Sequence, residues 1–484
     1  MRLSELFFSL GLPLPGEDRE ILSVTDRPEQ VDENTVFVCI RGARFDGHRS
    51  APAAAEKNAA AILCEAPLAV PRAVRAADTR SAFSALSAKL YEPANGYPRL
   101  VGVTGTNGKT TTAAYLSAVY RAAGEKCAVI GTLGVSIGGE TVSTGYTTPG
   151  SDVFFRALGA AGEAGCTRCV AEVSSLALAQ RRVDAARFEL GVFTNLGSDH
   201  LEAHGSRQAL LAAKTRLSLL SERMLVNLDD ESAPAFAAAC GERIPLYYSC
   251  RRRADFSAAR IRPRGSGSAF TFSAGEKSLE TFVPAPGFFS VYNALAAGAA
   301  AVATGVPFET AAGALRRLPQ VPGRAQMIPV MGRTVCIDYA HTPEALGAML
   351  SALPAERTVA VFGCGGERDR AKRAKMGAAA AKGAKEIVLT SDNPRGEDPI
   401  AIMRDVAAGV PAGTPLFFEA DRRRAIRLAL ERAKPGDTVL IAGKGHETEQ
   451  EINGKRIPFS DLITVKELAG TGFAASLPEA ETEG

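Results

Sequence analysis

Two series of short apolar runs alternate with helix-forming stretches along most of this chain, and this alternation constrains the fold more than any other feature. In the first series, from 100 to about 321, the runs are LVGVTG, CAVIGT, RCVAEV, LGVFTN and RMLVNL. In the second series, from about 326 to 470, they are TVCID, TVAVFG, EIVLTSD, PLFFEA and TVLIAG. Apolar strands that alternate with helices are typical of parallel sheets covered by helices. We therefore predict two α/β units, the second of them doubly wound.

Length and turn-rich segments divide the chain further. A chain of 484 residues is too long for one hydrophobic core, because cores stop growing at roughly 250–300 residues. The segments EPANGYP at 92–98 and QVPGRA at 320–325 are typical of linkers. We expect three α/β domains: a small N-terminal domain at 1–97, a central parallel-sheet domain at 98–322 and a doubly wound, Rossmann-like C-terminal domain at 323–484.

Composition limits the partners that this chain can have. Its hydrophobic fraction is 46% and its charged fraction 23%, values that are typical of globular proteins. The net charge of +3 gives no global attraction to nucleic acid or membranes. The N-terminus lacks a signal-peptide pattern, and the apolar run at 294–306 is shorter than the roughly 20 residues that a bilayer requires. We expect a cytoplasmic monomer with small-molecule substrates, no nucleic-acid partner and no stable membrane anchor.

Cysteines and basic runs indicate no further site. The nine cysteines are scattered and odd in number, which fits free thiols in a reducing compartment. Cys166 and Cys169 form a CxxC without a second pair at zinc-ribbon spacing, so we interpret them as a buried structural pair rather than a metal or redox site. The basic runs at 251–253 and 367–375 lack interleaved aromatic residues, and we predict solvated faces there, apart from Arg368.

One segment carries a phosphate-binding pattern. RLVGVTGTNGKTTTAAYL at 99–116 places an apolar strand, a loop with Gly105 and Gly108, and then Lys109 and Thr110 at the start of a helix. Backbone N–H groups of such a loop point at an anion, and the helix dipole adds to the attraction. Lys109 would lie over the β and γ phosphates of a nucleotide, and the Thr110 hydroxyl would hold Mg²⁺. Val103 replaces the first glycine of the usual pattern, and an ordinary Gly-rich turn is the alternative.

The loop TGTNGKTTT at 104–112 resembles the ATP loop of the Mur ligases, and further motifs of that family follow it in order. They are TTP at 147–149, EVSS at 172–175, FTNLGSDHLEAHG at 193–205, Lys214, Asn293, GR at 323–324, DYAHTP at 338–343, FGCGGERD at 362–369, DNPRGEDP at 392–399 and GKGHE at 443–447. Together they span about 100 to 450 and are far more specific than any single loop. The resemblance implies a P-loop ATPase-like central domain.

The resemblance also implies a reaction. Members of the family bind a UDP-sugar, ATP and an amino acid in their three domains, and DNPR with GKGHE is similar to the members that add meso-diaminopimelate. The expected activity is the ATP-dependent addition of meso-diaminopimelate to the D-glutamate γ-carboxylate of UDP-N-acetylmuramoyl-L-alanyl-D-glutamate through an acyl phosphate, in peptidoglycan precursor synthesis, with ATP and Mg²⁺. Three alternatives are the same chemistry with L-lysine or another amino acid in a divergent paralogue, a folylpolyglutamate-synthase-like ligase, and a nucleotide-binding regulatory protein without ligase activity.

Site residues follow from the same resemblance, position by position. The catalytic residues implied are Lys109, Glu172, His200 and Lys214, and the Mg²⁺ ligands are Thr110, Glu172, His200 and Lys214 as its carbamate. The ATP-binding residues implied are Gly105, Thr106, Asn107, Gly108, Lys109, Thr110, Thr111, Asn293, Arg324, Asp338 and His341. Those for the UDP-sugar are His48, Thr147, Thr148, Ser174, Gln180 and Arg182. Those for the amino acid are Arg368, Asp392, Asn393, Arg395, Gly443 and Glu447.

Two of these assignments have specific alternatives. Lys214 lies in the helical stretch QALLAAKTRLSLL, where an exposed helix lysine is the simpler interpretation. Arg395 and Arg368 would bind a carboxylate of diaminopimelate, and Glu447 with the backbone near Gly443 would accept its distal ammonium. DNPR could instead be a turn with a surface arginine.

The chain departs from the family pattern at three places. The usual Thr-Asp-Ser-Arg of the first domain is Thr25-Asp26-Arg27-Pro28 here, so the expected serine contact to the nucleotide is absent. EVSSHG is replaced by EVSSLA, and Phe289-Ser290 stands where Phe-Asn precedes Asn293. These changes bear on substrate affinity more than on the type of reaction.

Overall fold

The structure is a computed structural model, and it describes residues 1–42, 45–197, 199 and 201–470. These residues form two compact units. The first unit contains Met1–Ala258, Phe272–Leu279 and Asn293–Leu315, and the second contains Ala259–Thr271, Glu280–Tyr292 and the chain from Arg316 onwards. The boundaries of the three predicted domains stay a prediction.

A small α/β layer begins the first unit. In the described part of the chain, its four parallel strands lie in the order β1-β2-β3-β4. The strands are β1 (Ser23–Thr25), β2 (Thr35–Val38), β3 (Ala61–Cys64) and β4 (Ala73–Arg75), and the helices are α1 (Leu3–Phe8), α2 (Ala51–Glu56) and α3 (Thr79–Leu90). Helix α3 begins where the Asp78 side chain accepts a hydrogen bond from the Ser81 N–H, an N-cap that satisfies a donor of the first turn. Leu6 and Phe83 belong to the core beneath the sheet.

A large sheet follows. Counting described residues only, it has eleven strands in the order β15-β14-β13-β12-β11-β10-β5-β9-β6-β7-β8. The strands are β5 (Arg99–Thr104), β6 (Cys127–Gly131), β7 (Gly134–Ile137), β8 (Glu140–Val142), β9 (Arg168–Glu172), β10 (Phe188–Phe193), β11 (Ser221–Asn227), β12 (Leu246–Ser249), β13 (Phe256–Arg264), β14 (Gly267–Ala274) and β15 (Lys277–Val283). The helices are α4 (Lys109–Ala122), α5 (Ser151–Glu163), α6 (Ser175–Ala179), α7 (Leu201–His204), α8 (Arg207–Leu220), α9 (Ala233–Ala239), α10 (Phe288–Ala303) and α11 (Phe308–Leu315).

The second unit carries its own sheet. Its six described strands lie in the order β16-β17-β21-β18-β19-β20, and a separate hairpin pairs β22 with β23. The strands are β16 (Gln326–Val330), β17 (Arg333–Asp338), β18 (Thr358–Phe362), β19 (Glu386–Leu389), β20 (Leu416–Phe418), β21 (Thr438–Ala442), β22 (Glu449–Ile452) and β23 (Lys455–Pro458). The helices are α12 (Pro343–Ser351), α13 (Ala371–Gly383), α14 (Pro399–Ala407), α15 (Arg422–Arg432) and α16 (Asp461–Gly470).

The predicted strands of both series are confirmed, and their pairing is parallel at the centre of each sheet. Antiparallel additions were not predicted: β7 pairs with β6 and β8, and β16 pairs with β17. These strands are less uniformly buried than the central ones. They therefore lack the continuous apolar run on which the prediction depended.

The predicted burial of the cysteine pair is confirmed, and the solvated face predicted at 367–375 is wrong at Arg373. Cys166 and Cys169 are both free thiols and buried. Arg373, within the run at 367–375, is fully buried and forms ion pairs with Glu397 and Asp405. Arg373 lies on the buried face of α13. The number of charges in a stretch of sequence does not show which face of a helix each residue occupies. In the described residues, no helix is long and apolar enough to cross a membrane.

Candidate active site

The strand order explains why residues far apart in sequence meet in the first unit. Strands β10, β5, β9 and β6 are consecutive neighbours and run parallel. Their carboxyl ends therefore lie along one edge, where ligands bind in sheets of this kind. The phosphate loop follows β5, Glu172 ends β9, Thr132 follows β6 and Thr194 follows β10.

The phosphate loop has the backbone that its sequence predicted. Gly105 and Gly108 have φ values of 148° and 89°, a region that side chains disfavour. A Cβ on Gly105 would collide with the Thr194 hydroxyl, and one on Gly108 would collide with the amide oxygen of Asn293. The Lys109 ammonium donates to the carbonyls of Gly105 and Thr106 at 2.8 and 2.9 Å. Both glycines therefore permit a tight loop that lies across the start of α4.

The loop after β10 holds the phosphate loop from the other side. The Thr106 N–H donates to the Asn195 carbonyl at 2.8 Å, and the Asn107 N–H donates to the Asn195 side-chain oxygen at 3.0 Å. The Thr194 hydroxyl donates to the Asn107 carbonyl at 2.6 Å. Thr194 and Asn195 lie in the FTN motif but were not predicted as site residues. Of the remaining predicted ATP residues here, Thr111 is buried in the first turn of α4.

A buried carboxylate lies beside the start of α4. The Thr110 hydroxyl donates to Glu172 Oε2 at 2.8 Å. Thr132 contributes twice, its N–H to Oε1 at 2.8 Å and its hydroxyl to Oε2 at 3.0 Å. Gly131 has no room for a Cβ because Glu172 packs against it. Hydroxyl and carboxylate oxygens thus converge at this point, and these are the ligands that Mg²⁺ prefers.

Lys214 lies inside the protein, not on the outer face of its helix. It is 2% exposed on α8, so the alternative of an exposed helix lysine is wrong. Burial, together with the nearby charge of Lys109, lowers the pKa of Lys214 well below its usual range, and Asp199 opposes this shift. The predicted partner His200 lies outside the described residues.

The residues predicted for the UDP-sugar form a connected group, with one exception. The Thr148 hydroxyl and Ser174 are hydrogen-bonded, and Arg182 donates to the Thr148 carbonyl at 2.6 Å and to the Gln180 side chain. The Thr132 hydroxyl, which donates to Glu172, also lies 3.0 Å from the Thr147 hydroxyl, from which it can accept a hydrogen bond. Burial lowers the pKa of Arg182.

His48, the exception, makes its side-chain bonds within the first 97 residues. Its Nδ1 lies 2.6 Å from Asp46, and its Nε2 accepts from the Glu65 N–H at 3.1 Å. Because Nε2 accepts, the proton of a neutral ring lies on Nδ1 and points at the carboxylate. Both ring nitrogens are thereby occupied, so a ligand contact would require one of these bonds to open.

Arg27 stands where the family pattern has a serine, and the structure shows what it contacts. Its guanidinium forms an ion pair with Asp152 at 2.7 Å, and Asp152 is 2% exposed at the start of α5. Burial and the charge of Asp152 raise the pKa of the neighbouring Asp26. An arginine at this position thus binds a buried carboxylate of the first unit, which a serine is too short to do.

The second unit collects the other predicted residues along the carboxyl edge of its own sheet. Asp338 ends β17, Gly443 follows β21, and Asp392 lies in the loop after β19. The buried Asp338 carboxylate accepts from the N–H groups of Ala325 and Ala340, and burial raises its pKa. The guanidinium of Arg324 lies over the Tyr339 ring at 4.3 Å, and His341 Nδ1 lies 2.8 Å from the Tyr339 carbonyl. Arg324, Asp338 and His341 are therefore brought together within this unit.

The residues predicted for the amino acid form a second group in this unit. Asn393 Nδ2 donates to Glu447 Oε2 at 3.0 Å. Arg395, at φ 52°, donates to the Gly366 carbonyl at 2.7 Å and pairs with Glu451 at 3.3 Å. Arg395 is thus anchored in a strained turn and is not a loose surface arginine.

Other members of that group differ in their surroundings. Gly443 cannot carry a Cβ without approaching the Asp392 carboxylate at 2.5 Å. Arg368 is exposed, beside the loop that contains Gly365. Lys444, in the GKGHE motif, was not predicted, although its side chain is fully buried and binds both Asn393 and Glu447.

A buried ion pair supports both loops of that group. Arg422 and Asp461 are each 0% exposed, and Arg422 also donates to the carbonyls of Ser391 and Ala442. These two carbonyls directly precede Asp392 and Gly443. The pair therefore fixes the point at which each loop leaves the sheet.

Replacing Arg422 with methionine is expected to lower the free energy of unfolding by about 3–5 kcal/mol, because Asp461 is left buried and unpaired. Urea unfolding followed by circular dichroism measures this loss. Arg423→Met is the matched control, since the Arg423 side chain is 47% exposed, and its loss should stay within about 1 kcal/mol. Equal losses in the two variants would contradict the role given to Arg422.

The fold and the loop together define a nucleotide-binding α/β protein whose phosphate site lies at the start of a helix. Residues 103–301 match the Mur ligase middle domain, and residues 323–445 match the Mur ligase, glutamate ligase domain. The chain belongs to the Mur ligase family. The predicted family, α/β fold class and ligase class are thereby confirmed.

Individual relatives agree with this assignment. A protein of Bacillus velezensis named UDP-N-acetylmuramoyl-L-alanyl-D-glutamate--2,6-diaminopimelate ligase is 37% identical over 95% of this chain and 97% of its own. A solved structure of a ligase with the same name is 32% identical, with a TM-score of 0.72, over 98% of this chain and 100% of that chain. The MurF ligase of Thermotoga maritima, solved in complex with ADP, shares the fold at 20% identity and a TM-score of 0.63, over 88% of this chain and 94% of its own.

Proposed function

We propose that this chain joins meso-diaminopimelate to the γ-carboxylate of the D-glutamate in UDP-N-acetylmuramoyl-L-alanyl-D-glutamate, with ATP as the source of energy. The similarity to relatives of that name over 95% of the chain carries the proposal. This similarity extends over the first domain. It therefore favours the proposed reaction over that of a folylpolyglutamate-synthase-like ligase. The retained Lys109, Thr110 and Glu172 argue against a regulatory protein without activity.

The chain's own residues account for the first half of the reaction. The substrate carboxylate must receive the γ-phosphate of ATP before an amine can attack its carbon and displace phosphate. Both reactants of the phosphoryl transfer, the carboxylate and ATP, are anions. Lys109 and the N–H groups of the phosphate loop supply positive charge where these anions approach. The hydrogen-bonded group of Thr148, Ser174 and Arg182 is connected to this loop through Thr147 and Thr132, and it holds the UDP-linked substrate.

Thr110 and Glu172 would hold Mg²⁺. Their oxygens are hard donors, and they lie 2.8 Å apart beside the phosphate loop. The ion, when bound, neutralises charge on the phosphates. His200 is the further ligand that the family motif implies.

Lys214 completes this neighbourhood as a carbamate. Its lowered pKa favours the neutral amine, whose nitrogen can attack the carbon of CO₂, form an N–C bond and release one proton. The carbamate of Lys214 is an anion near the Lys109 ammonium, whereas protonated Lys214 would be a second cation there. We expect ¹³C-bicarbonate to give a carbamate resonance in the wild type that is absent from Lys214→Ala, and we expect Lys214→Ala to lose about 10²-fold in kcat.

A distant lysine provides the control for this assignment. Lys126 is exposed, and Lys126→Ala should keep both the carbamate resonance and the activity. An unchanged resonance in Lys214→Ala would assign the carbamate to another lysine.

Arg395 and Glu447 supply opposite charges for the amino acid. An amino acid with two amino-acid centres presents both carboxylates and ammonium groups. Arg395 is anchored so that its guanidinium can meet a carboxylate, and Lys444 lowers the pKa of Glu447 against the effect of burial. Glu447 thus stays ionised and can accept an ammonium.

The test supplies purified protein with ATP, Mg²⁺ and UDP-N-acetylmuramoyl-L-alanyl-D-glutamate, with meso-diaminopimelate or L-lysine in parallel. Phosphate release and product mass are measured. Product with diaminopimelate alone is the expected result. Product with lysine alone would replace the amino acid in the proposal, and ATP binding without product from either would overturn it.

A further inference from the structure

Lys444 is a buried cation that contacts two of the residues assigned to the amino acid and was not itself assigned to the site. Its side chain is 0% exposed, and its ammonium donates to Glu447 Oε2 at 2.8 Å and to Asn393 Oδ1 at 3.1 Å. Taking a lysine ammonium out of water is unfavourable unless the charge is paired and hydrogen-bonded. A residue at this position therefore needs both partners in place.

The bonds of Lys444 fix the orientation of both partners. Asn393 Oδ1 also accepts from the Glu451 N–H at 3.0 Å, and Asn393 Nδ2 donates to Glu447 Oε2 at 3.0 Å. The amide of Asn393 can therefore face only one way. Glu447 Oε2 is bound twice, and within the described residues no side chain or N–H group bonds to Oε1.

We propose that Lys444 is a positioning residue that holds Asn393 and Glu447 so that one carboxylate oxygen of Glu447, Oε1, is presented to an ammonium group of the incoming amino acid. This inference rests on the proposed function. It also changes the role of Asn393, whose amide orients Glu447 and is not itself the main contact of the substrate.

The charges around Glu447 explain why a lysine is needed here. Arg422 and His446 also face this carboxylate. Arg422 already forms a buried pair with Asp461, and burial lowers the pKa of His446 to about 4, so its ring is neutral near pH 7. Lys444 is therefore the cation that keeps the half-buried Glu447 ionised.

Lys444→Met tests the proposal. We expect the dissociation constant for meso-diaminopimelate, measured by calorimetry, to rise about 10–100-fold, as for the loss of a charge-assisted hydrogen bond. The KM for ATP and for the UDP-linked substrate should stay unchanged. The low-pH limb of kcat/KM for diaminopimelate should move to higher pH, because burial then raises the pKa of Glu447 without the opposing lysine. A merely structural role would not move this limb.

Glu447→Gln and the double variant Lys444→Met/Glu447→Gln complete a double-mutant cycle. If Lys444 acts through Glu447, the lysine substitution should have little further effect on diaminopimelate binding once Glu447 is neutral. The double variant carries no unpaired buried charge, so it folds even if Lys444→Met does not. Lys455→Met, at an exposed lysine of β23, is the matched control.

The outcomes separate this inference from the proposed function. Additive effects in the cycle, or an unchanged dissociation constant in Lys444→Met, would overturn the role of Lys444 even with a fully active wild type. A wild type that binds diaminopimelate but forms no product would overturn the proposed function, and the binding cycle would still decide the role of Lys444. A wild type that binds no diaminopimelate would overturn both.

Discussion

Lys109→Met is expected to lower kcat/KM for ATP by about 10³-fold or more, which is the largest effect that we predict for a single substitution. Lys109 lies at the first residue of α4, and its ammonium donates to two carbonyls of the phosphate loop. Methionine is an unbranched side chain only one atom shorter than lysine, but it removes the charge that stabilises the transferring phosphate. Phosphate release at saturating amino acid and UDP-linked substrate measures the loss.

Binding and stability must be measured beside this rate. The variant should unfold at nearly the temperature of the wild type, because Lys109 is only half-buried and methionine retains apolar packing at this position. Lys126→Met, at an exposed lysine past the end of the same helix, is the matched control and should keep full activity. A loss of less than tenfold in Lys109→Met would show that the phosphate loop does not perform the chemistry.

Glu172→Gln is expected to lower kcat by about 10²–10³-fold. All three described donors to this side chain, the hydroxyls of Thr110 and Thr132 and the N–H of Thr132, point at carboxylate oxygens. A glutamine amide must turn its NH₂ group towards at least one of these donors, and it also removes the negative charge that would hold Mg²⁺. The Mg²⁺ concentration for half-maximal activity should rise together with the loss of rate.

A substitution of a glutamate elsewhere in the first unit is the control for the general effect of removing one carboxylate. Glu163 is exposed at the end of α5, and Glu163→Gln should leave both the rate and the Mg²⁺ requirement unchanged. Direct binding of Mn²⁺ in the presence of ATP, followed by electron paramagnetic resonance, gives a readout that does not depend on turnover. Equal Mn²⁺ binding by wild type and Glu172→Gln would contradict the role of Glu172 as a metal ligand.

The sequence by itself determined the parallel sheets and the phosphate loop. Uninterrupted apolar runs such as LVGVTG can only be buried on both faces, and the glycines at 105 and 108 permit backbone angles that other residues disfavour. Ordered motifs then indicated the family. These features are local, so spacing along the chain was enough to detect them.

The tertiary structure alone decided which of the indicated residues are buried and what they contact. Arg373 and Lys444 look like ordinary surface cations in sequence, and an exposed helix lysine was one interpretation of Lys214, yet each of the three is 2% exposed or less. His48 was indicated as a ligand contact, but its two nitrogens are bound by Asp46 and the Glu65 N–H. Burial and side-chain partners depend on which strands become neighbours, and strand order joins residues that are tens to hundreds of positions apart. A local pattern does not specify that order, so the burial and the contacts of the charged residues at the site could be determined only from the fold.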